Sequence, residues 1–336
     1  MASISVVIPA YRCSGSIPAV LRALRAQTLQ PLEIIVVDDC SPDNLADAIA
    51  AFREEVVYIR NAVNLGLSKT YNVGLRAAKG DYVLTLHSDC LLEPNYLELV
   101  WGTLSSHDDV AAVTGQYVFD DFQSMTLSDQ LFSVLNLLPV TQSLSDRVEE
   151  IAFSEGKADL FRRGDLERVG YFDEHLVLTA EDQDLSAKFR IDGYRFLQDS
   201  RARFRSQYNG TQDALWKVLR KQLSYAQGQM YVLLKYGSHA IRSTTSNRNA
   251  RALHRLSQAI FTCAMLGCLA LATVWPAYLL IGLGLVAARS LYYCLVASPM
   301  RMPARLLAIP TGIASDALYT VGLLRGLVLF LMRGVV

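Results

Sequence analysis

Basic clusters, paired cysteines and, toward its C-terminus, acidic residues are what this sequence lacks. Its 32 lysines and arginines are balanced by 32 aspartates and glutamates, and no basic domain or stripe stands out, which excludes a nucleic-acid-binding surface. Of six cysteines, Cys13, Cys40 and Cys90 precede the middle of the chain and Cys263, Cys268 and Cys294 follow it, with no C-x-x-C spacing. That pattern offers neither a zinc site nor a disulfide framework, so the thiols are expected to be reduced and structural. Repeats and low-complexity tracts are absent. Ahead of the first strand-like run stand only Met1, Ala2 and Ser3, and the run itself is too short for the apolar core of a secretory leader, which predicts a cytoplasmic N-terminal portion.

The neutral total conceals an asymmetry. Residues 256 to 336 hold Arg289, Arg301, Arg305, Arg325 and Arg333 against the single acid Asp316. Within them, 256 to 274 carry no charge and 277 to 297 only Arg289. A bilayer core needs about 20 apolar residues per helix, so two membrane-spanning helices are expected, joined at Trp275-Pro276. The competing possibility, a buried hairpin of a soluble domain, fits two adjacent charge-free runs less well. Arg289 would need a partner, a lipid phosphate or a wet cavity. The segment 305 to 332, interrupted by Pro310, Asp316 and Arg325, reads either as a kinked span or as an interfacial helix. Arg301 and Arg305 after two spans place the catalytic half in the cytoplasm by the positive-inside rule, as in a bacterial inner-membrane protein.

The N-terminal portion alternates strand-like runs (4 to 8, 33 to 38, 56 to 59, 82 to 86, 110 to 118) with helical patterns (16 to 28, 44 to 53, 68 to 78, 94 to 105). This is an α/β pattern and predicts a Rossmann-like, mostly parallel sheet. Ligands of such sheets bind beyond the carboxyl ends of the strands, where Tyr11, Asp38, Asp39 and Asp89 gather. Two carboxylates directly behind Ile34 to Val37 suit a core poorly and a ligand well. Asp89, just past another buried strand, is where a divalent cation sharing a diphosphate would be held. A third acidic group, Glu181, Asp182 and Asp184, precedes a helical pattern; taken alone, it reads first as a helix cap, and beside the other motifs as a general base.

The organisation expected from this is a catalytic domain over 1 to 212, an amphipathic helix and linker over 213 to 255, and a membrane region of two to three helices over 256 to 336. The basic amphipathic helix within 213 to 236 would either lie on lipid headgroups or pack on the sheet with a solvated basic face. Residues 119 to 155 are weakly patterned, fitting a loop over the site, a partner-facing insertion or a surface helix.

The ordered set of V-V-I-P-A-Y (6 to 11), V-V-D-D-C-S-P-D (36 to 43), Asn64-Leu65-Gly66, Asn72-Val73-Gly74, H-S-D-C (87 to 90), Arg163, G-Y-F-D-E (170 to 174) and E-D-x-x-L (181 to 185) resembles the family-2 glycosyltransferases of GT-A fold over residues 3 to 237. The resemblance implies transfer of a sugar from a nucleotide-diphosphate donor, usually with inversion. It implies that Pro9, Ala10, Tyr11, Asp38, Asp39, Asn64 and Ser88 serve the nucleotide sugar, with Asp39 suited to accept a uracil imide N–H. Asp38 has the alternative of a structural place at the sheet edge. It further implies that Asp89 holds a Mn²⁺ or Mg²⁺ ion, that Asp182 is the general base and that Glu181 orients it or binds the acceptor. Two departures stand out: His87 occupies a position where the family often has a further Asp, and Ser206-Gln207 stand where relatives often supply a metal-binding His.

The chain also resembles bacterial envelope and exopolysaccharide glycosyltransferases that act on lipid-linked acceptors. The expected activity is therefore membrane-anchored transfer of one sugar, probed against two alternatives. One is transfer to a polyprenyl phosphate, with Arg289, Arg301 and Arg305 on the phosphate; the other is an inactive membrane scaffold or sugar-nucleotide sensor. A processive synthase is disfavoured by the missing Q-x-x-R-W motif.

Overall fold

The computed structural model describes residues 2–119, 121–138, 140–141, 144–154, 156–176, 179–207, 214–237, 239–240 and 250–332. The expected boundary at 212 and 213 and most of the expected linker, 241 to 249, lie outside them. The chain forms two compact units, one of residues 1–119, 143–208 and 236–246, the other of 120–142, 209–235 and 247–336.

In the first unit, β1 (Ile4–Ala10) is buried along its whole length because it is central: β2 (Glu33–Asp38) and β4 (Tyr82–Leu86) pair with it in parallel on either side, and β3 (Val56–Arg60) adds outside β2. Its alternate side chains enter two cores. Ile4, Val6 and Ile8 pack with Val20, Leu21 and Leu24 of α1 (Ile17–Arg25), and Val7 with Tyr71 and Leu75 of α3 (Leu67–Ala77). That period of two on a strand buried on both faces is what a near-continuous apolar run encodes. At Gly74 a Cβ would stand 2.4 Å from Val7 Cγ1, so glycine there lets α3 lie close on the sheet.

The full strand order is β3-β2-β1-β4-β8-β6-β9-β5, with β7 also on β9. Here β5 is Cys90–Leu92, β6 Val110–Tyr117, β7 Val148–Ile151, β8 Ala158–Arg162 and β9 Arg195–Ser206. The sheet is mixed, which corrects the expectation of a mostly parallel one: β4·β8, β6·β8, β5·β9 and β7·β9 are antiparallel. A parallel return needs a crossover helix; the helix between β6 and β8 belongs to the other unit, and β8 enters between β4 and β6 in the opposite sense. Helix α7 (Glu181–Ile191) closes one face through Leu185 and Phe189.

The second unit is helical: α5 (Leu127–Leu135), α8 (Leu215–Tyr236), α9 (Ala250–Ala272), α10 (Ala277–Val296) and α11 (Ala304–Met332). Three of these, over Leu253–Ala272, Ala277–Val296 and Ala304–Met332, are long and apolar enough to cross a membrane. Large apolar side chains face outward along them, with Leu266, Leu280 and Leu283 each at least 60% exposed. Residues 304–332 form one continuous helix despite Pro310. Arg289 donates to both Asp316 oxygens at 2.8 Å, to Ser257 Oγ at 2.9 Å and to the Tyr293 hydroxyl oxygen at 3.1 Å. A carboxylate of this chain is therefore its partner, beside the lipid phosphate or wet cavity that the sequence alone suggested. Arg305 donates to the Cys294 carbonyl at 2.6 Å.

Helix α8 is amphipathic as expected, and within its own unit its buried face rests on α11. The Tyr319 hydroxyl donates to Gln229 Oε1 at 2.7 Å, and Cβ atoms at Gly322 and Gly326 would stand 2.4 Å from the Leu223 and Gln227 carbonyl oxygens. The weakly patterned segment supplies α5, whose Leu131, Val134 and Leu135 pack with Val218, Tyr293 and Ala297.

Candidate active site

The carboxyl ends of β1, β2 and β4 open on one edge of the sheet, and strained backbone marks it. Arg12, directly after β1 and Tyr11, has φ 53°; Cys40, just after β2, has φ 55°; Ala180, at the start of α7, has φ 70°. Non-glycine residues avoid this left-handed region, so the fold holds these three there at a cost in backbone energy.

Pro9 and Ala10 are buried within β1, whereas Tyr11 is 45% exposed at its end. Asp38 has no exposed surface. Its carboxylate accepts the Ser41 N–H at 2.7 Å, the Tyr58 hydroxyl at 2.5 Å and an Arg60 N–H, so it ties the edge together. Asp39, buried also, organises the next loop. It accepts Asn61 Nδ2 at 2.9 Å, Leu65 N at 2.7 Å and Gly66 N at 2.9 Å, while Asn64 Nδ2 donates to its backbone carbonyl at 3.2 Å. A carboxylate offers about four acceptor positions, and three of those on Asp39 hold the 61–66 loop at the start of α3. Ser41 and Asp43 secure the loop after β1, accepting the Arg12 N–H at 2.6 Å and the Ser14 N–H at 2.8 Å. Ser88 contributes its carbonyl to Ser16 Oγ at 2.9 Å.

Asp89 is half-buried. Ser206 Oγ donates to its Oδ2 at 2.5 Å, and the Gln207 N–H to its backbone carbonyl at 2.8 Å. The pair Cys90 with Ser206 in the β5·β9 ladder places this serine, so the departure noted from sequence lies against the carboxylate itself. Among the described residues no group of three or more His, Cys, Asp or Glu converges to hold a metal ion. One accessible carboxylate beside a hydroxyl nevertheless fits a hard cation that takes its remaining oxygens from substrate phosphates and water.

Tyr71 links this turn to the second acidic group. Its ring stacks on His87 at 6.5 Å and Phe172 at 5.1 Å, and its hydroxyl donates to the Gly156 carbonyl at 3.3 Å. A Cβ at Gly156 would stand 3.4 Å from Asp182 Cβ. Burial holds the Tyr71 hydroxyl protonated well above its ordinary range, and Asp159, Glu181 and Asp89 all act on it in the same direction. Three carboxylates from different strands and helices thus lie in electrostatic range of one hydroxyl.

Glu181 and Asp182 occupy the first turn of α7, directly after the strained Ala180. Both are partly exposed, and Asp182 Oδ1 accepts the Gln183 N–H at 2.8 Å. Glu181 nonetheless sits deep enough among protein atoms that desolvation pushes its pKa above the ordinary carboxylate value. The third acid, Asp184, is buried 3.5 Å from Lys188 Nζ, a structural i,i+4 pair. Sequence reasoning missed Tyr71, because a tyrosine in the apolar stripe of a helix reads as core, and it missed Gly156 beside Asp182 and Lys157 beside the His87 turn, for which no local pattern signals these neighbours.

Residues 5–170 match the family model described as Glycosyl transferase family 2. The chain is similar to an uncharacterized glycosyltransferase of Haemophilus influenzae, 33% identical over 107 residues that cover 32% of this chain and 36% of that one. It is 26% identical over 237 residues to a poly-beta-1,6-N-acetyl-D-glucosamine synthase of Staphylococcus aureus, covering 69% of this chain and 56% of the synthase. The chain spans about half the length of the curated relatives it matches, or less. Among solved structures, the mannosyltransferase PcManGT from Pyrobaculum calidifontis, determined with GDP-Man and Mn²⁺, superposes with a TM-score of 0.58 at 18% identity, covering 97% of this chain and 87% of that one. The mixed sheet, its loaded carboxyl edge and the match over residues 5–170 identify a glycosyltransferase family 2 domain of GT-A fold in this chain.

Proposed function

We propose that the protein is a membrane-anchored, inverting glycosyltransferase that moves one sugar from a nucleotide-diphosphate sugar to a lipid-linked or otherwise membrane-bound acceptor of envelope polysaccharide or glycolipid assembly. The observation that carries this is that Asp89 and Glu181 both act on Tyr71 at the sheet's carboxyl edge, while the Tyr71 hydroxyl bonds to Gly156, which lies against Asp182. Tyr11 and the 61–66 loop held by Asp39 would receive the nucleoside, with the remaining acceptor position of Asp39 suited to a uracil imide and hence to a UDP-sugar. Asp38, spent within the sheet edge, would act through that edge. A divalent cation bound at Asp89 would supply charge neutralisation of the leaving diphosphate. Asp182 would take the proton of the acceptor hydroxyl as that oxygen attacks the anomeric carbon from the face opposite the diphosphate. Glu181, beside it, would receive the acceptor as a neutral or hydrogen-bonding group, in keeping with its raised pKa.

The test is turnover by full-length protein in detergent across UDP, GDP and dTDP sugars with Mn²⁺ or Mg²⁺ and a lipid-linked acceptor. We expect release from one donor, lost in Asp89→Ala, and at least a thousandfold loss in Asp182→Asn with nucleotide affinity kept within about threefold. Asp182→Asn at near-normal rate overturns the base assignment. Product length then separates single transfer from polymerisation, which the likeness to a polymer synthase brings into the comparison.

A further inference from the structure

Lys157 lies beside the turn that carries Asp89. Its backbone carbonyl accepts the His87 N–H at 2.9 Å, and the next residue, Ala158, pairs with Leu86 in the β4·β8 ladder. The ladder therefore sets residue 157 beside the turn that carries Asp89, with Gly156 on its other side against Asp182. The side chain is half-buried, its ammonium 4.3 Å from the centre of the Tyr117 ring, which restricts where the charge can go. Burial holds the neighbouring Cys90 thiol above its ordinary range; the Asp89 charge adds to that and the Lys157 charge opposes it. Both charges thus act on the same sulfur.

The balance of charge in this turn is unusual for a site built on a cation alone. The position two before Asp89 is His87 and the strand opposite offers Ser206, so one carboxylate has to hold a divalent ion that would prefer more. A nucleoside diphosphate still departs with the bonding electron pair of the anomeric C–O bond and with its full negative charge. We propose that Lys157 is the fixed countercharge for that diphosphate: it keeps its proton throughout, donates N–H bonds to a phosphate oxygen, and lets the site bind the nucleotide without metal. This role rests on the glycosyltransferase reading above.

Calorimetric titration of UDP and, in parallel, GDP into full-length protein in detergent tests it, with EDTA and with Mn²⁺. The unsubstituted protein is expected to bind one nucleotide in EDTA. Charge-assisted hydrogen bonds of this kind make Lys157→Ala roughly ten- to a hundredfold weaker there, with Lys157→Arg restoring most of the loss. Asp89→Ala should remove the Mn²⁺-dependent gain. Lys157→Gln, which keeps a chain over the Tyr117 ring, replaces Lys157→Ala if the latter melts early. Binding that strictly requires Mn²⁺, unchanged affinity in EDTA for the lysine variants, or an arginine variant as weak as alanine overturns the role of Lys157 and leaves the enzyme reading standing. Absence of nucleotide binding under both conditions overturns the enzyme reading and this role with it.

Discussion

Glu181 shows how one side chain's surroundings separate it from its neighbour. Desolvation raises its pKa above the ordinary 4.5, so between those two values the folded protein holds a proton that the unfolded chain has released. Linkage then requires stability to fall as pH rises through that window. Glu181→Gln, permanently neutral, removes the dependence. Its melting temperature should exceed that of the unsubstituted protein at pH 7 and converge with it below pH 4.5; a difference constant across that range would show that the carboxyl is not destabilised by burial. The same logic separates the three acids of the cluster. Asp184 is neutralised by Lys188, while Asp182 is partly exposed in the first turn of α7 and carries the proposed base.

Among the elements, the pairing of α8 with α11 is the most demanding. Gly322 and Gly326 stand one helical turn apart and let the α8 backbone approach until its carbonyl oxygens touch the α11 surface, the close approach that small residues permit between helices. In an isolated helix Gly→Ala stabilises by about 0.8–1 kcal/mol. Here an added methyl meets backbone that has nowhere to move, so Gly322→Ala should instead destabilise by about 1–3 kcal/mol, read as a lower melting temperature in detergent. A rise would mean that α8 is not seated on α11 in solution. The Arg289–Asp316 pair serves the same unit differently: Ser257, Tyr293 and Asp316 come from α9, α10 and α11, so a single guanidinium fastens all three apolar helices.

The chain divides into a sheet unit that carries the candidate site and a helical unit with exposed apolar side chains along its three long helices. Side chains such as Leu280, 71% exposed, and Leu283, 65% exposed, would be costly in water at about 25 cal/mol per Å², which is the physical ground for placing this unit in lipid. After alkaline carbonate treatment of membranes, the protein should remain in the pellet. Quantitative release into the supernatant would show that the three helices bury their faces in protein instead.

Much of this is legible in the sequence. Five of the six strands from Ile4 to Tyr117, all but the short β5, and the four helical stretches among them follow from apolar periodicity, as do the approximate positions of the first two long apolar helices, because length, hydropathy and alternation are local properties of a chain. The carboxylates at the strand ends were visible for the same reason. What periodicity does not carry is partnership between distant segments. The antiparallel insertion of β8, the seat of α8 on α11 and the match of Arg289 to Asp316 depend on which surfaces meet. So does the choice among acids: Asp38 and Asp39 are adjacent and chemically identical, yet one is consumed by Arg60 and Tyr58 and the other by the 61–66 loop. Residue type and order were enough for the strongly periodic elements and the family; the short strands β5, β7 and β8 and the assignment of each polar group to its partner came from packing, since free energy there depends on contacts between residues far apart in sequence.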